Sequence, residues 1–265
     1  MLTSNRLFWQ NDSTGINQKP DFWDTIASKV QVYRQDIQTL QDHSIQLEDG
    51  ATIASDILIC ATGWKPALSF LHPTDAARLG LSTLQSDLDP DKAQKWKELD
   101  EQTDREILQH FPNLVNPPVH AEPDTSRSPF RLYKMIASPT DDTIAFLGHI
   151  GVGNNFRAAE CQALWTVAYF DGNLTLPSKA AMEHEISRTV SWCKRRYPYR
   201  GGSGVYLYFD LLPYTDGLLA HIGLTSHRKR GLKDLFTPCF ASDLRHLQQE
   251  YRDKFIGTGG VDHED

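Results

Sequence analysis

The chain has 265 residues, a formal net charge of -7 and 40% hydrophobic residues, enough for one large domain or two small ones around a packed core. The acidic balance excludes a general nucleic-acid binder, which needs an excess of Lys and Arg. No C-x-x-C pair joins Cys60, Cys161, Cys193 and Cys239, the N-terminus has no signal-peptide core, and no apolar run approaches the ~18 residues of a membrane span. The expectation is a cytoplasmic protein without a structural metal.

In chain order, residues 1–29 are polar with scattered aromatics (Phe8, Trp9, Phe22, Trp23) and read as a surface arm. Val30–Tyr33 alternates as a short strand. Ser44–Gly50 alternates again and ends at Asp49-Gly50, a strong turn signal. Thr52-Ile53 leads to Ile57–Cys60, which reads as a buried, near-continuous apolar strand. Cys60 in that strand and Cys161 in a later helix are expected to be small buried hydrophobes.

Eight prolines break residues 67–140 into short pieces, with Pro66 just before them. One charged helix is expected from Asp91 to about His110, capped by Asp89 or Asp91 with Pro90 in its first turn. Asn116-Pro117-Pro118 and Glu122-Pro123 read as ordered loop or lid, and Arg131–Ile136 as a strand. Thr143–Leu147 is a further strand. The helix after it is capped by Asn154 or Asn155, with Phe156, Ala159, Ala163, Leu164, Val167 and Phe170 at apolar helical spacing, and ends at Asp171-Gly172-Asn173. Pro177-Ser178 opens another helix to about Arg196. Gly201–Gly204 reads as a flexible connector, Val205–Leu212 as strand-like, and short helices follow around Leu218 and from Ser242 to Phe255.

The strongest constellation is Gly148-His149-Ile150-Gly151-Val152-Gly153-Asn154-Asn155, placed between a strand and a helix. A helix N-terminus offers free amides and a positive dipole end to an anionic or carbonyl-rich ligand. The spacing is G-x-x-G-x-G rather than G-x-G-x-x-G, so a cofactor turn and a tight turn needing small residues both stand. In the helix, Phe156 and Glu160 share one face, with Phe156 read as core. Arg157 and Cys161 share the adjacent face, with Arg157 read as a surface ion-pair partner. Lys194-Arg195-Arg196 with Arg200, and Arg228-Lys229-Arg230, read as solvated helix ends or phosphate contacts. There is no G-x-S-x-G nucleophile elbow, and His184-Glu185 lacks a second histidine at metalloprotease spacing.

Val30-Gln31-Val32, Ile45–Gly50 and Ala54-Ser55-Asp56-Ile57-Leu58-Ile59-Cys60-Ala61-Thr62-Gly63-Trp64-Lys65-Pro66, followed by Ile144–Gly148, Ala159–Trp165 and Gly172–Pro177, resemble class B flavoprotein monooxygenases, the flavin-containing monooxygenases and their fungal relatives. The resemblance implies an α/β, partial FAD/NAD(P)-binding (Rossmann-like, doubly wound) fold with added C-terminal helices. It implies a monooxygenase, in a fungal secondary-metabolic setting, that uses FAD, NADPH and O2 on a small organic substrate. Residues 1–66 would be a remnant of the NAD(P)H-domain meander, 67–140 a Pro-rich insertion, and 141–265 the returning FAD-domain segment with a helical extension.

By the same resemblance Thr62 and Gly63 would lie where the NADPH domain rejoins the FAD domain. Gly148, Gly151, Gly153, Asn154, Asn155 and Phe156 would approach the cofactor, whereas His149, Arg157 and Glu160 are candidate catalytic groups that a cofactor-free isomerase or cyclase would use. The family's two glycine fingerprints lie N-terminal to the A-T-G segment, and this sequence has neither. Activity would then need a complementing flavoprotein chain or a homodimer. The alternatives are a cofactor-free protein acting as an isomerase, cyclase or partner subunit, and an inactive fragment with exposed sheet edges.

Overall fold

A computed structural model describes Trp9, residues 20–61, Gly63, Leu68, residues 70–118 and 126–226, Arg228, Lys229, Gly231, Asp234, Phe236, Thr237 and residues 239–256. Thr62, Trp64–Pro66, Phe8, Glu122-Pro123 and Arg230 of the sequence reading lie outside them. The chain forms two compact units, Thr14–Phe70 and Met1–Ser13 with Leu71–Asp265. The class is mixed α/β, as expected, with helices dominating the second half.

The smaller unit has a helix α1 (Phe22–Lys29) and a three-stranded antiparallel meander, β1 (Ile37–Gln41), β2 (Ser44–Leu47) and β3 (Thr52–Ala54), in that spatial order. The first hairpin turns at Asp42-His43, with Gln41 opposite Ser44 and His43 at φ 49, the left-handed geometry a two-residue hairpin demands. The second turns at Asp49-Gly50, as read, with Gly50 at φ 86. Val30–Tyr33 is extended but unpaired, and the first strand begins at Ile37 instead. Ile57–Cys60 forms no strand either. Ile57 and Ile59 are 78% and 82% exposed and Cys60 is exposed. A strand exists only where another backbone pairs with it, and no described residue pairs with this one.

The larger unit is built on long helices. A helix α2 (Pro73–Leu79) precedes α3 (Pro90–His110), where the Asp89 carboxylate accepts the Lys92 N–H at 3.0 Å and Pro90 occupies the first turn. Arg131–Ile136 is a tight turn rather than a strand. Lys134 and Met135 have φ 53 and 57, and the Ile136 N–H donates to the Tyr133 carbonyl at 3.0 Å. The pairing falls just beyond, between β4 (Ala137–Ser138) and β5 (Asp141–Ala145). Next come α4 (Asn155–Phe170), α5 (Lys179–Arg196), capped by Ser178, α6 (Leu211–His221) and α7 (Leu247–Phe255). The described strands pair antiparallel, and one isolated parallel bridge joins Gly151 to Tyr206. That bridge replaces the expected strand over Val205–Leu212.

Gly201–Gly204 is a packed 3-10 turn, not a flexible connector. Gly201 is buried, and a Cβ there would collide with the Cys193 carbonyl. Trp9, read as part of a surface arm, is buried against Ile107 and Leu114. Among the described residues no helix is long and apolar enough to cross a membrane.

The core centres on Trp165, fully buried among Tyr133, Ile136, Cys161, Ile186 and Leu218. Its indole N–H donates to His221 Nδ1 at 3.0 Å, which requires that nitrogen to be unprotonated. A second, polar centre joins α3 and α5. The Asp100 carboxylate accepts two bonds from Arg131 (2.7 and 2.9 Å), one from Ser187 (2.7 Å) and one from Lys194 (3.1 Å). Burial pulls the Asp100 pKa upward, but the Arg131 guanidinium and the other donors prevail and hold it below the ordinary carboxylate value.

Two measurements test these centres. Arg131→Ala strips the bidentate partner from a mostly buried carboxylate and is expected to lower stability by about 3 kcal/mol in urea unfolding. An effect near zero would refute the central role of the pair. Burial lowers the His221 pKa below its ordinary value, so the unfolded chain takes up that proton first. Stability must therefore fall as pH drops from about 7.5 to about 5.5. His221→Gln, whose amide oxygen can still accept the Trp165 N–H, is expected to flatten that slope. An unchanged slope would assign it to other groups.

Candidate functional site

The strand-turn-helix from β5 to α4 is where the sequence placed the strongest chemistry. After β5, Phe146 is buried and its N–H donates to the Ile136 carbonyl at 2.9 Å. The chain then reverses at Gly148, φ 79, a conformation that L side chains disfavour. Nothing lies within 4 Å of where a Gly148 Cβ would stand. Gly151 differs. Its N–H donates to the Val205 carbonyl and its carbonyl accepts from Leu207, each at 2.8 Å, and a Cβ would meet the Tyr206 ring at 2.6 Å. The chain itself fills the space beside Gly151. At Gly153 the Tyr208 carbonyl would stand 3.4 Å from a Cβ. Gly148 is therefore the open glycine of the turn.

Asn154 caps α4, its side-chain oxygen accepting the Arg157 N–H at 3.1 Å. Asn154, Asn155 and Phe156 are all exposed, Phe156 by 91%. This corrects the reading of Phe156 as core. His149 lies half-buried between aromatic rings, stacked on Phe130 with centroids 5.4 Å apart and edge-on to Phe146 at 6.4 Å. Burial lowers its pKa, so the imidazole is neutral near pH 7.

Arg157 is buried rather than at the surface. Its Nε donates to Thr215 Oγ1 at 3.2 Å, and Nη2 lies 3.6 Å from Asp216, which ties α4 to α6. Glu160 is exposed. His149, Arg157 and Glu160 thus have different surroundings: an aromatic pocket, a buried contact between helices and solvent. Gly63 is in the smaller unit with φ 83 and open space around it. Thr62 lies outside the described residues.

Two residues that hold the turn escaped the sequence reading. The fully buried Gln162 accepts the Gly148 N–H through Oε1 at 2.9 Å and donates through Nε2 to the Tyr214 hydroxyl at 2.7 Å. Tyr214 in turn donates to the Lys134 carbonyl at 2.8 Å. A hydroxyl has one proton, so donation to Lys134 obliges Tyr214 to accept from Gln162, and this fixes the amide's orientation. Burial drives the Tyr214 pKa far above its ordinary value, which keeps that proton in place. The signal in the sequence is a Gln one position beyond Cys161, on the inward face of the helix.

Tyr214 also lines a cleft of about 550 Å³ with Leu132, Met135, Ile186, Trp192 and Leu207. Four of the described residues of the basic clusters make internal ion pairs. Lys194 meets Asp100, Arg195 meets Asp104 at 2.6 Å, Arg228 meets Glu250 and Lys229 meets Asp243 at 3.2 Å. Among the described residues no group of three His, Cys, Asp or Glu is placed to hold a metal ion.

No protein-family model matches the chain. Curated proteins do. An FAD-dependent monooxygenase of Aspergillus sclerotiorum is 34% identical over 86% of this chain and 41% of its own length. One of Aspergillus nomiae is 31% identical over 88% of this chain and 41% of its own, and one of Fusarium langsethiae is 30% identical over 94% and 44%. The chain thus spans about two fifths of the length of these relatives. This agrees with the resemblance carried by Ala54–Pro66 and Ile144–Gly148: by sequence the chain is a relative of the FAD-dependent monooxygenases, matched over less than half of their length.

Proposed function

We propose that this chain supplies part of the cofactor site of an FAD-dependent, NADPH-consuming monooxygenase that oxygenates a small organic molecule. The observation that carries the reading is the open Gly148 turn running into the capped N-terminus of α4, in a chain about a third identical to FAD-dependent monooxygenases. FAD, when bound, supplies the oxygen-activating chemistry. Gly148 gives a flat ring room to approach the backbone. The first-turn amides of α4, at Asn155 and Phe156, are donors that no helix bond can use and that suit ring carbonyls or phosphate oxygens. Gly153, Asn154 and the exposed Phe156 ring border that approach, while Gly151 packs the turn from behind.

His149, neutral and shielded by Phe130 and Phe146, can accept a proton beside the turn. Glu160 is the exposed carboxylate on the outer face of the helix. Arg157 acts as a positioning residue through Thr215 and Asp216. Thr62 and Gly63 would contribute from the segment that resembles the family's domain junction.

A second reading, a cofactor-free protein that binds or isomerises a small molecule, draws support from the cleft at Tyr214, which this chain builds by itself.

Titration with FAD separates the two. The first reading expects protein-bound flavin absorbance near ~450 nm, for the chain alone or with the unmatched remainder of a relative supplied, and NADPH oxidation in the reconstituted sample. Gly148→Asn tolerates the left-handed backbone but occupies the open space, and is expected to weaken FAD binding about tenfold while leaving the unfolding free energy within about 1 kcal/mol. A folded protein that stays colourless in both settings would reject the flavin reading in favour of the second.

A further inference from the structure

The cleft that Tyr214 lines, about 550 Å³ in volume, falls within the roughly 300–1,000 Å³ of small-molecule sites. Asp210 brings a carboxylate to its largely apolar wall. Asp210 is the N-cap residue of α6, yet its side chain makes no cap bond. One of the two positions that could donate such a bond is Pro213, which has no N–H. The carboxylate turns to α5 and the residues after it instead. Its Oδ2 accepts the Trp192 indole N–H at 2.8 Å and the Tyr197 hydroxyl at 2.9 Å. A carboxylate has about four lone-pair sites. Both bonds fall on one oxygen, and Oδ1 accepts none among the described residues, which leaves acceptor capacity at the cleft wall.

The charges around the cleft narrow the ligand. Lys134 pairs with Glu185 at 2.6 Å, and the exposed Arg188 stands at the cleft's edge. An entering cation is opposed by these two bases, and an entering anion by Asp210 and Glu185; a neutral molecule is opposed by neither. The charge of Asp210 is itself offset by its two donors and by the positive end of α6. A hydroxyl donated to a carboxylate makes a strong, charge-assisted bond. Gly217 points the same way. It lies in the interior of α6, where glycine is less favourable than any residue but proline. Neither a positive φ nor a close neighbour demands it, since a Cβ there would meet nothing within 4 Å. Gly217 lines the cleft, so its missing side chain leaves space for an occupant. We infer that this cleft binds a neutral, ring-bearing apolar molecule that carries a hydroxyl, with the O–H donated to Asp210 Oδ1 and the rings covering the apolar wall.

The inference rests on the cleft invoked by the second reading above and holds whether or not flavin binds. Calorimetric titration of the whole chain near pH 7 compares three probes of one shape: 2-naphthol, 2-methoxynaphthalene and naphthylmethylamine. The naphthol is expected to bind at least about tenfold more tightly than its methyl ether, which lacks the donor, and more tightly than the protonated amine. Asp210→Asn keeps an oxygen for Trp192 and Tyr197 but puts an amide NH2 where Oδ1 stood, and is expected to erase or reverse the preference for naphthol over ether. Gly217→Phe fills the cleft and is expected to lower naphthol affinity at least about tenfold, with a urea midpoint no lower than the parent's, because the helix loses a glycine. Equal binding of naphthol and ether would overturn the hydroxyl specificity while the cleft stood as a binding site, and so would a preference for the amine. Binding of none of the three would overturn both. Naphthol binding indifferent to Asp210→Asn and to Gly217→Phe would put the ligand elsewhere on the chain and overturn the inference as well.

Discussion

The carboxylate of Asp100 is the constraint on which the larger unit depends. It lies on α3, mostly buried, and collects Arg131, Ser187 and Lys194, while its backbone carbonyl accepts from Thr103 and Ser191 at 3.3 Å each. A buried carboxylate is costly unless its lone pairs are filled. Here two cations and a hydroxyl fill them, and the guanidinium is further held 4.5 Å over the Trp96 ring. The effect is to lock α3, α5 and the segment at 131 into one arrangement. From Arg131 the order propagates. Its backbone N–H donates to the Gly80 carbonyl at 2.6 Å, and three residues on, the chain enters the left-handed turn at Lys134 and Met135. That turn's carbonyl holds Tyr214, Tyr214 orients Gln162, and Gln162 holds Gly148. The candidate site is thus the far end of a hydrogen-bond path that begins at a charge pair.

That path explains why the chain tolerates two consecutive non-glycine residues at positive φ. Each costs about 1–2 kcal/mol relative to the right-handed region. The cost is met locally by the hairpin bonds at Tyr133 and Ala137, by the Tyr214 hydroxyl on Lys134, and by the ion pair of Lys134 with Glu185 at 2.6 Å. Each buried bond contributes about 1 kcal/mol net, so the turn persists because several small terms act on the same four residues.

What the sequence revealed and what it concealed divide along the range of the interactions. The starts of α3, α4 and α5 were legible to within two residues, as Asp89 or Asp91, Asn154 or Asn155 and Pro177-Ser178, because a cap is settled within three residues. So was the Gly148–Asn155 turn, since strand, glycine and cap are contiguous. The strand expected at Ile57–Cys60 failed because pairing is decided by a distant backbone. Gln162 went unseen because its partner lies 52 residues away. The face of α4 was read inside out for the same reason. Periodicity assigns the apolar positions to the core, but here the inward polar residues Arg157, Gln162 and Thr166 each have a partner, Leu164 packs against the core, and Phe156, Val167 and Phe170 are exposed.

This inversion gives α4 two faces of different character. Hydrogen bonds on the inner face are directional and set the helix's rotation and register without outside help. The outer face is non-directional and holds unrealised burial. Covering a Phe or Val side chain fully contributes about 1.5–3 kcal/mol, so Phe156, Val167 and Phe170 together represent several kcal/mol. Set against the roughly 5–15 kcal/mol that separates folded from unfolded states in ordinary domains, that is a large fraction. Whatever covers that face therefore acts on stability through binding. The inner network fixes the Gly148 turn through Gln162 without help from the outer face, so the geometry of the turn and the exposure of that face are separate properties of one helix.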